Sequence, residues 1–224
     1  MAATGSSCLR ALPLVSGSFF MLSPFFQLER FAGFQVLRLH SVDDTNRLTR
    51  ACVRALKAVV RELSQAAEPL VVTGNSRFFS AGADLLEIAN LTGPAAYAFA
   101  QMGQELMRSI EAFPAPVVAA INGYCMGGGL DLALACHRRI ASPHAVFGHR
   151  GAALGLITGW GGTQRLPRLI GRAKAMEMFL TAEKVRAAEA WRVGLVDSIA
   201  ADPVEEAARQ IVEMRARANL PKLD

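Results

Sequence analysis

Two short runs near the start, 26–31 and 34–39, alternate apolar with polar residues on either side of Ala32-Gly33. Alternation of period two across a glycine-containing turn predicts a β-hairpin. Leu48, Cys52, Leu56, Val59, Val60 and Leu63 then recur at helical spacing, with Asp43-Asp-Thr-Asn46 supplying cap candidates. The apolar run 69–73 stops in the polar turn Gly74-Asn-Ser76 and reads as a buried strand. A second helix is expected over about 95–112 and a second apolar strand over 116–121. After Gly128 the pattern turns helical again through Leu130, Leu132, Leu134 and Ala135. Short strands are expected at 139–141 and 145–147, and helices at about 162–170, 172–181, 186–193 and 203–217. Strands and helices alternating over one apolar core predict an α/β fold.

The chain has 224 residues, enough for one domain with a substantial core, and no linker, repeat or low-complexity tract divides it. The organisation expected is an N-terminal extension over 1–24, a core over 25–200 and a C-terminal helical segment over 201–224. Residues 1–28 hold no acidic residue and a single basic one, Arg10. That stretch reads first as a disordered or artefactual extension, with Met21 as an alternative start, and second as an organellar leader. No run is long and apolar enough for a transmembrane helix, so stable membrane insertion is not expected.

A hydrophobic fraction of 52% with 19% charged residues suits a globular protein. The net charge of +5 comes from scattered Lys and Arg, which favours a small anionic ligand over nucleic acid. Cys8, Cys52, Cys125 and Cys136 form no CxxC pair and read as reduced, buried thiols. His40, His137, His144 and His149 lack an HExxH-type arrangement, so no metal is expected.

Candidate chemistry gathers in two glycine-rich turns, Phe79-Ser-Ala-Gly-Ala-Asp84 and Asn122-Gly-Tyr-Cys-Met-Gly-Gly-Gly-Leu-Asp131. Each follows an apolar run, and glycine lets main-chain N–H groups approach a ligand closely. Two such turns side by side would hold one oxyanion between two backbone donors. For a single glycine, a simple tight turn is the better reading; for the pair it is not.

With Val72-Thr-Gly74, Ala119-Ala-Ile-Asn-Gly-Tyr124, Phe147-Gly148, Gly161-Gly-Thr-Gln-Arg-Leu166 and Gly194-Leu-Val-Asp197, these segments resemble the crotonase family, the enoyl-CoA hydratase/isomerase superfamily, from roughly 26 to 218. The resemblance implies a spiral of β-β-α repeats, here with a shortened C-terminal helical region, assembled as a homotrimer or hexamer. It implies an acyl-CoA thioester as ligand, coenzyme A being part of the substrate rather than a separate cofactor. It places the two oxyanion donors at the amides of Ala83 and Gly128, and an adenine contact at the backbone of Ala81. Peptide N–H groups suit that task as fixed dipoles, and losing one such donor costs about 2.7–4 kcal/mol in other enzymes.

The acid–base positions depart from the family pattern. The first of the hydratases' two glutamates maps onto Asp131, which keeps a carboxylate one methylene shorter and equally reads as a first-turn acid favoured by the helix dipole. The second maps onto Gly151, which has no proton to offer. Thr158 matches a position where relatives lacking that glutamate carry Tyr or Asp, and it can orient a group but not titrate near neutrality. His149 and Arg150 stand where hydratases carry Gln and Pro; His149 can exchange a proton at neutral pH, and Arg150 can hold an anion. A Cys125–His149 hydrolase pair is conceivable, but a buried apolar thiol is the expected role of Cys125.

The resemblance therefore implies a hydratase/isomerase-like lyase or isomerase with non-standard acid–base residues. The alternatives are an acyl-CoA decarboxylase or lyase, and a catalytically silent CoA-thioester-binding subunit. The compartment expected is the cytoplasm, or the mitochondrial matrix if residues 1–24 act as a leader.

Overall fold

The computed structural model describes residues 18–218; the readings made for residues 1–17, Cys8 included, and for 219–224 lie outside them. The chain opens with the antiparallel strands β1 (Ser18–Leu22), β2 (Phe26–Phe31) and β3 (Phe34–Leu39), the last two forming the expected hairpin with Phe31 opposite Phe34. Strand β1 carries the sheet into the stretch assigned to an extension, pairing Leu22 with Gln27 along the outer edge of the hairpin. Its run Ser18-Phe-Phe-Met-Leu22 is aromatic and apolar, as strands prefer.

A two-residue strand, β4 (Arg47–Leu48), precedes helix α1 (Arg50–Ala66). Here the structure corrects the expected cap. Thr49, not the 43–46 run, caps α1, its Oγ1 accepting from the amide of Cys52 at 3.1 Å. The polar run instead ties down the next turn. Asn46 Nδ2 donates to the carbonyls of Phe78 and Phe79, and Ser80 Oγ donates to the carbonyl of Asn46.

Next come β5 (Leu70–Thr73), β6 (Phe78–Ser80), β7 (Gly82–Ala83), α2 (Leu85–Ala89) and α3 (Gly93–Glu111). They lead to β8 (Val117–Ile121), β9 (Tyr124–Met126), α4 (Gly128–Ala135), β10 (Arg138–Ala141) and β11 (Val146–Gly148). After a 3₁₀ turn at Gly151–Leu154 come α5 (Gly162–Ile170), α6 (Arg172–Thr181), β12 (Val185–Arg186), α7 (Ala187–Arg192), β13 (Ser198–Ile199) and α8 (Pro203–Ala218).

The main sheet runs β1-β2-β3-β5-β8-β10-β13, parallel from β3 onward. Its central strands β5 and β8 are wholly buried, which is why they read as continuous apolar runs rather than alternating ones. Val71, Val118, Ala120 and Ile140 face α8 through Ala207, Ala208 and Ile211. Leu70, Val72, Ala119 and Ile121 point the other way, into the core under α1, α3 and α4. A second sheet, β12-β11-β9-β6, has β6, β9 and β11 parallel, so their carboxyl ends open on one side. The expected α/β class holds. No helix among the described residues is long and apolar enough to cross a membrane.

Candidate active site

At the carboxyl ends of β6 and β9 the chain turns sharply twice, and the two turns touch. Ladder pairing of Leu48 with Ala83 holds β7 in place, and Gly82 takes φ +94°. A Cβ on Gly82 would lie 2.6 Å from the carbonyl of Met126 and 2.9 Å from the amide nitrogen of Gly128. Only glycine allows that approach. A Cβ at Gly128 would in turn lie 3.2 Å from the amide nitrogen of Ala83. Gly128 is also the first residue of α4, where N–H groups lack intrahelical acceptors and the helix end is partly positive.

Both turns line one cavity of about 470 Å³. Ala81, Ala83, Gly128, Asp131, His149, Arg150, Gly151 and Thr158 all contribute to its wall, so the residues singled out in the sequence meet in one place. The remaining lining is apolar, including Ile88, Leu91, Phe99, Leu156 and Trp160. An apolar pocket with a few convergent polar groups is the usual form of a small-molecule site.

Asp131 sits in the first turn of α4 and is only 1% exposed. Burial pushes its carboxyl up to about 7, against the opposing pull of the Thr158 hydroxyl, the Arg165 charge and the amides of Gly162 and Trp160. The Thr158 hydroxyl donates to Oδ2, while Oδ1 has no hydrogen-bond partner. His149, 3% exposed, places Nε2 3.6 Å from that Oδ1, too far for a hydrogen bond. Burial lowers its imidazole to about 4, and neither ring nitrogen has a partner. Between about pH 4 and 7 both groups are therefore uncharged, and their contact is not an ion pair.

The 3₁₀ turn explains the missing carboxylate in backbone terms. A Cβ at Gly151 would lie 2.6 Å from the carbonyl oxygen of Leu156, so this loop conformation has no room for any side chain there. Cys125 is fully buried, and burial raises its thiol well above the ordinary range. It does not line the cavity, so the hydrolase pair finds no support, and Cys52, Cys125 and Cys136 are buried free thiols.

Three contributors escaped the sequence reading. Gly162 abuts the acid, since a Cβ there would overlap Asp131 Oδ1 and lie 2.8 Å from His149 Nε2. Arg165 reaches back to the carbonyl of Trp160 at 3.3 Å and pairs with Glu111 at 2.7 Å, bringing positive charge near Asp131. Trp160 forms a wall of the cavity; its bulk between Gly159 and Gly161 was the available signal. Among the described residues no three His, Cys, Asp or Glu side chains gather as metal ligands.

Comparison with known proteins shows the family. Residues 29–221 match the family model described as enoyl-CoA hydratase/isomerase. Among solved structures, DspI of Pseudomonas aeruginosa is 33% identical, with 90% of this chain and 78% of that one covered at a TM-score of 0.81. An enoyl-CoA hydratase from Bacillus anthracis is 33% identical over 86% of this chain and 75% of that one, TM-score 0.77. One from Thermoplasma volcanium is 31% identical over 87% and 78%, TM-score 0.78.

Proposed function

The chain belongs to the enoyl-CoA hydratase/isomerase family, and from that premise we propose that it binds an acyl-CoA thioester and moves a proton through a stabilised enolate. The observation carrying this reading is the meeting of the Ala83 and Gly128 turns in a cavity that also holds one buried carboxyl, Asp131. In this reading the thioester oxygen accepts from the amides of Ala83 and Gly128, with the adenine of the same ligand at the backbone of Ala81. The Asp131 carboxylate takes a proton from the carbon α to the thioester carbonyl. The C–H electron pair moves into the enolate, whose negative charge rests on the thioester oxygen. The same carboxyl then returns the proton to a different carbon, shifting the double bond.

A carboxyl held at about 7 has both forms populated near neutrality, as a shuttling acid–base group requires. Thr158 fixes its orientation through Oδ2, and Oδ1, which has no hydrogen-bond partner beside the neutral His149, is the oxygen left to exchange the proton. Hydration of the double bond needs a second group to hold water, and Gly151 offers none. That same glycine favours decarboxylation as a second reading, because loss of CO₂ leaves an enolate with no proton removed. Homotrimeric or hexameric assembly belongs to this proposal, supported by exposed Met176, Leu180 and Trp191.

The test is calorimetry with saturated acyl-CoA followed by turnover of 3-enoyl-, crotonyl- and malonyl-type CoA thioesters. Double-bond shift in the 3-enoyl substrate, abolished in Asp131→Asn, is the expected result. CO₂ release without isomerisation transfers the assignment to the second reading. Tight binding with no turnover makes the chain a silent CoA-thioester-binding subunit.

A further inference from the structure

Trp160 is 3% exposed and lies across the gap between α3 and the start of α4. One edge of its indole rests on Gly103 of α3, where a Cβ would overlap Cδ1 and Nε1. The other edge rests on Gly128, where a Cβ would lie 2.5 Å from Cζ3. The plate thus spans from helix to oxyanion turn, seated at each end on a residue without a side chain. It is held there by Nε1–H donating to the carbonyl of Phe99 at 3.2 Å and by a tilted contact with the Phe99 ring, centroids 5.2 Å apart. Phe99, Ala100, Leu91 and Ile88 line the same cavity in an apolar band.

Trp160 thus sets a buried aromatic plate beside Gly128, on the wall of the same cavity. We propose that Trp160 is the acyl-length stop of this pocket, an assignment that rests on the acyl-CoA reading above. The two glycines let so large a side chain fit, and the hydrogen bond and the Phe99 ring prevent it from swinging aside. Chain atoms that lie along the apolar band gain burial, whereas atoms beyond the indole have nowhere dry to go. Trp160 thus selects the acyl group and takes no part in the proton transfer.

The experiment titrates a series of unreactive, saturated straight-chain acyl-CoA thioesters, below their micelle-forming concentrations, into the wild-type protein and Trp160→Leu. Each methylene added along the band should tighten binding by about fourfold until the chain meets the indole, where the gain stops. In Trp160→Leu the gain should continue for at least about two more carbons. Trp160→Phe, which keeps an aromatic ring, should move the break in the same direction by less, and it reads the inference if the Leu variant does not fold. A break at the same length in a folded variant overturns the inference alone. Absence of binding at every length in the wild type overturns the acyl-CoA reading and the inference together.

Discussion

His149 Nε2 stands 3.6 Å from Oδ1 of Asp131, and burial has moved their affinities for protons in opposite directions. The carboxyl, raised from 3.8 to about 7, binds its proton more tightly folded than unfolded, so stability falls as pH rises through that window. The imidazole, lowered from 6.5 to about 4, does the reverse: its contribution is complete above 6.5 and is lost as pH falls toward 4. Between 4 and 6.5 the two slopes oppose each other.

Urea midpoints measured across pH 4 to 7.5 should separate the two groups. His149→Phe should leave the Asp131 slope alone, with stability decreasing as pH rises. Asp131→Asn should leave the histidine slope, with stability increasing up to about pH 6.5 by on the order of 3 kcal/mol. Identical pH dependence in both variants would show that the pair does not titrate as described.

Asp131→Asn should also lower turnover by about 10²- to 10⁴-fold, the usual contribution of a positioned acid–base group. Acyl-CoA affinity should change little, because the thioester oxygen is held by backbone amides. If the first step removes a proton, wild-type kcat/KM should rise with pH through about 7 as the carboxylate forms. A pH-independent rate across that range would contradict the assignment.

Gly162→Ala should damage the site from outside the substrate's reach. Its new methyl would overlap Asp131 Oδ1 and crowd His149 Nε2, so one of the two must move. The expected signature is a loss of kcat with the protein still folded and still binding acyl-CoA. Unchanged kinetics would mean that the carboxyl does not need its present position.

Restoring the absent carboxylate should not restore hydration. In Gly151→Glu the Cβ would meet the carbonyl of Leu156 at 2.6 Å, and overpacking of this kind costs roughly 1–3 kcal/mol. A lower melting temperature without crotonyl-CoA hydration is expected. Hydration at a family-like rate would show that the loop readily makes room.

The sequence alone determined the elements with strong periodicity and the turns with strong chemistry. Helices α5 and α6 fall where the apolar spacing put them, and β5 and β8 stand out because strands buried on both faces read as unbroken apolar runs. The glycine-rich segments marked the two turns because a bare backbone is itself a chemical signal, and the family resemblance then assigned donors to Ala83 and Gly128. Strands β4 and β7, two residues each, carry no period at all, so their pairing was invisible, and with it the reason that Thr49 rather than the 43–46 run caps α1. The acid's surroundings were likewise left to tertiary structure. Thr158 and Gly162 reach Asp131 from the entrance to α5 and His149 from the end of β11, and the proton affinities of the acid and the histidine follow from the water that this packing excludes. Residue identity supplies a carboxyl; only long-range burial moves it from 3.8 to about 7.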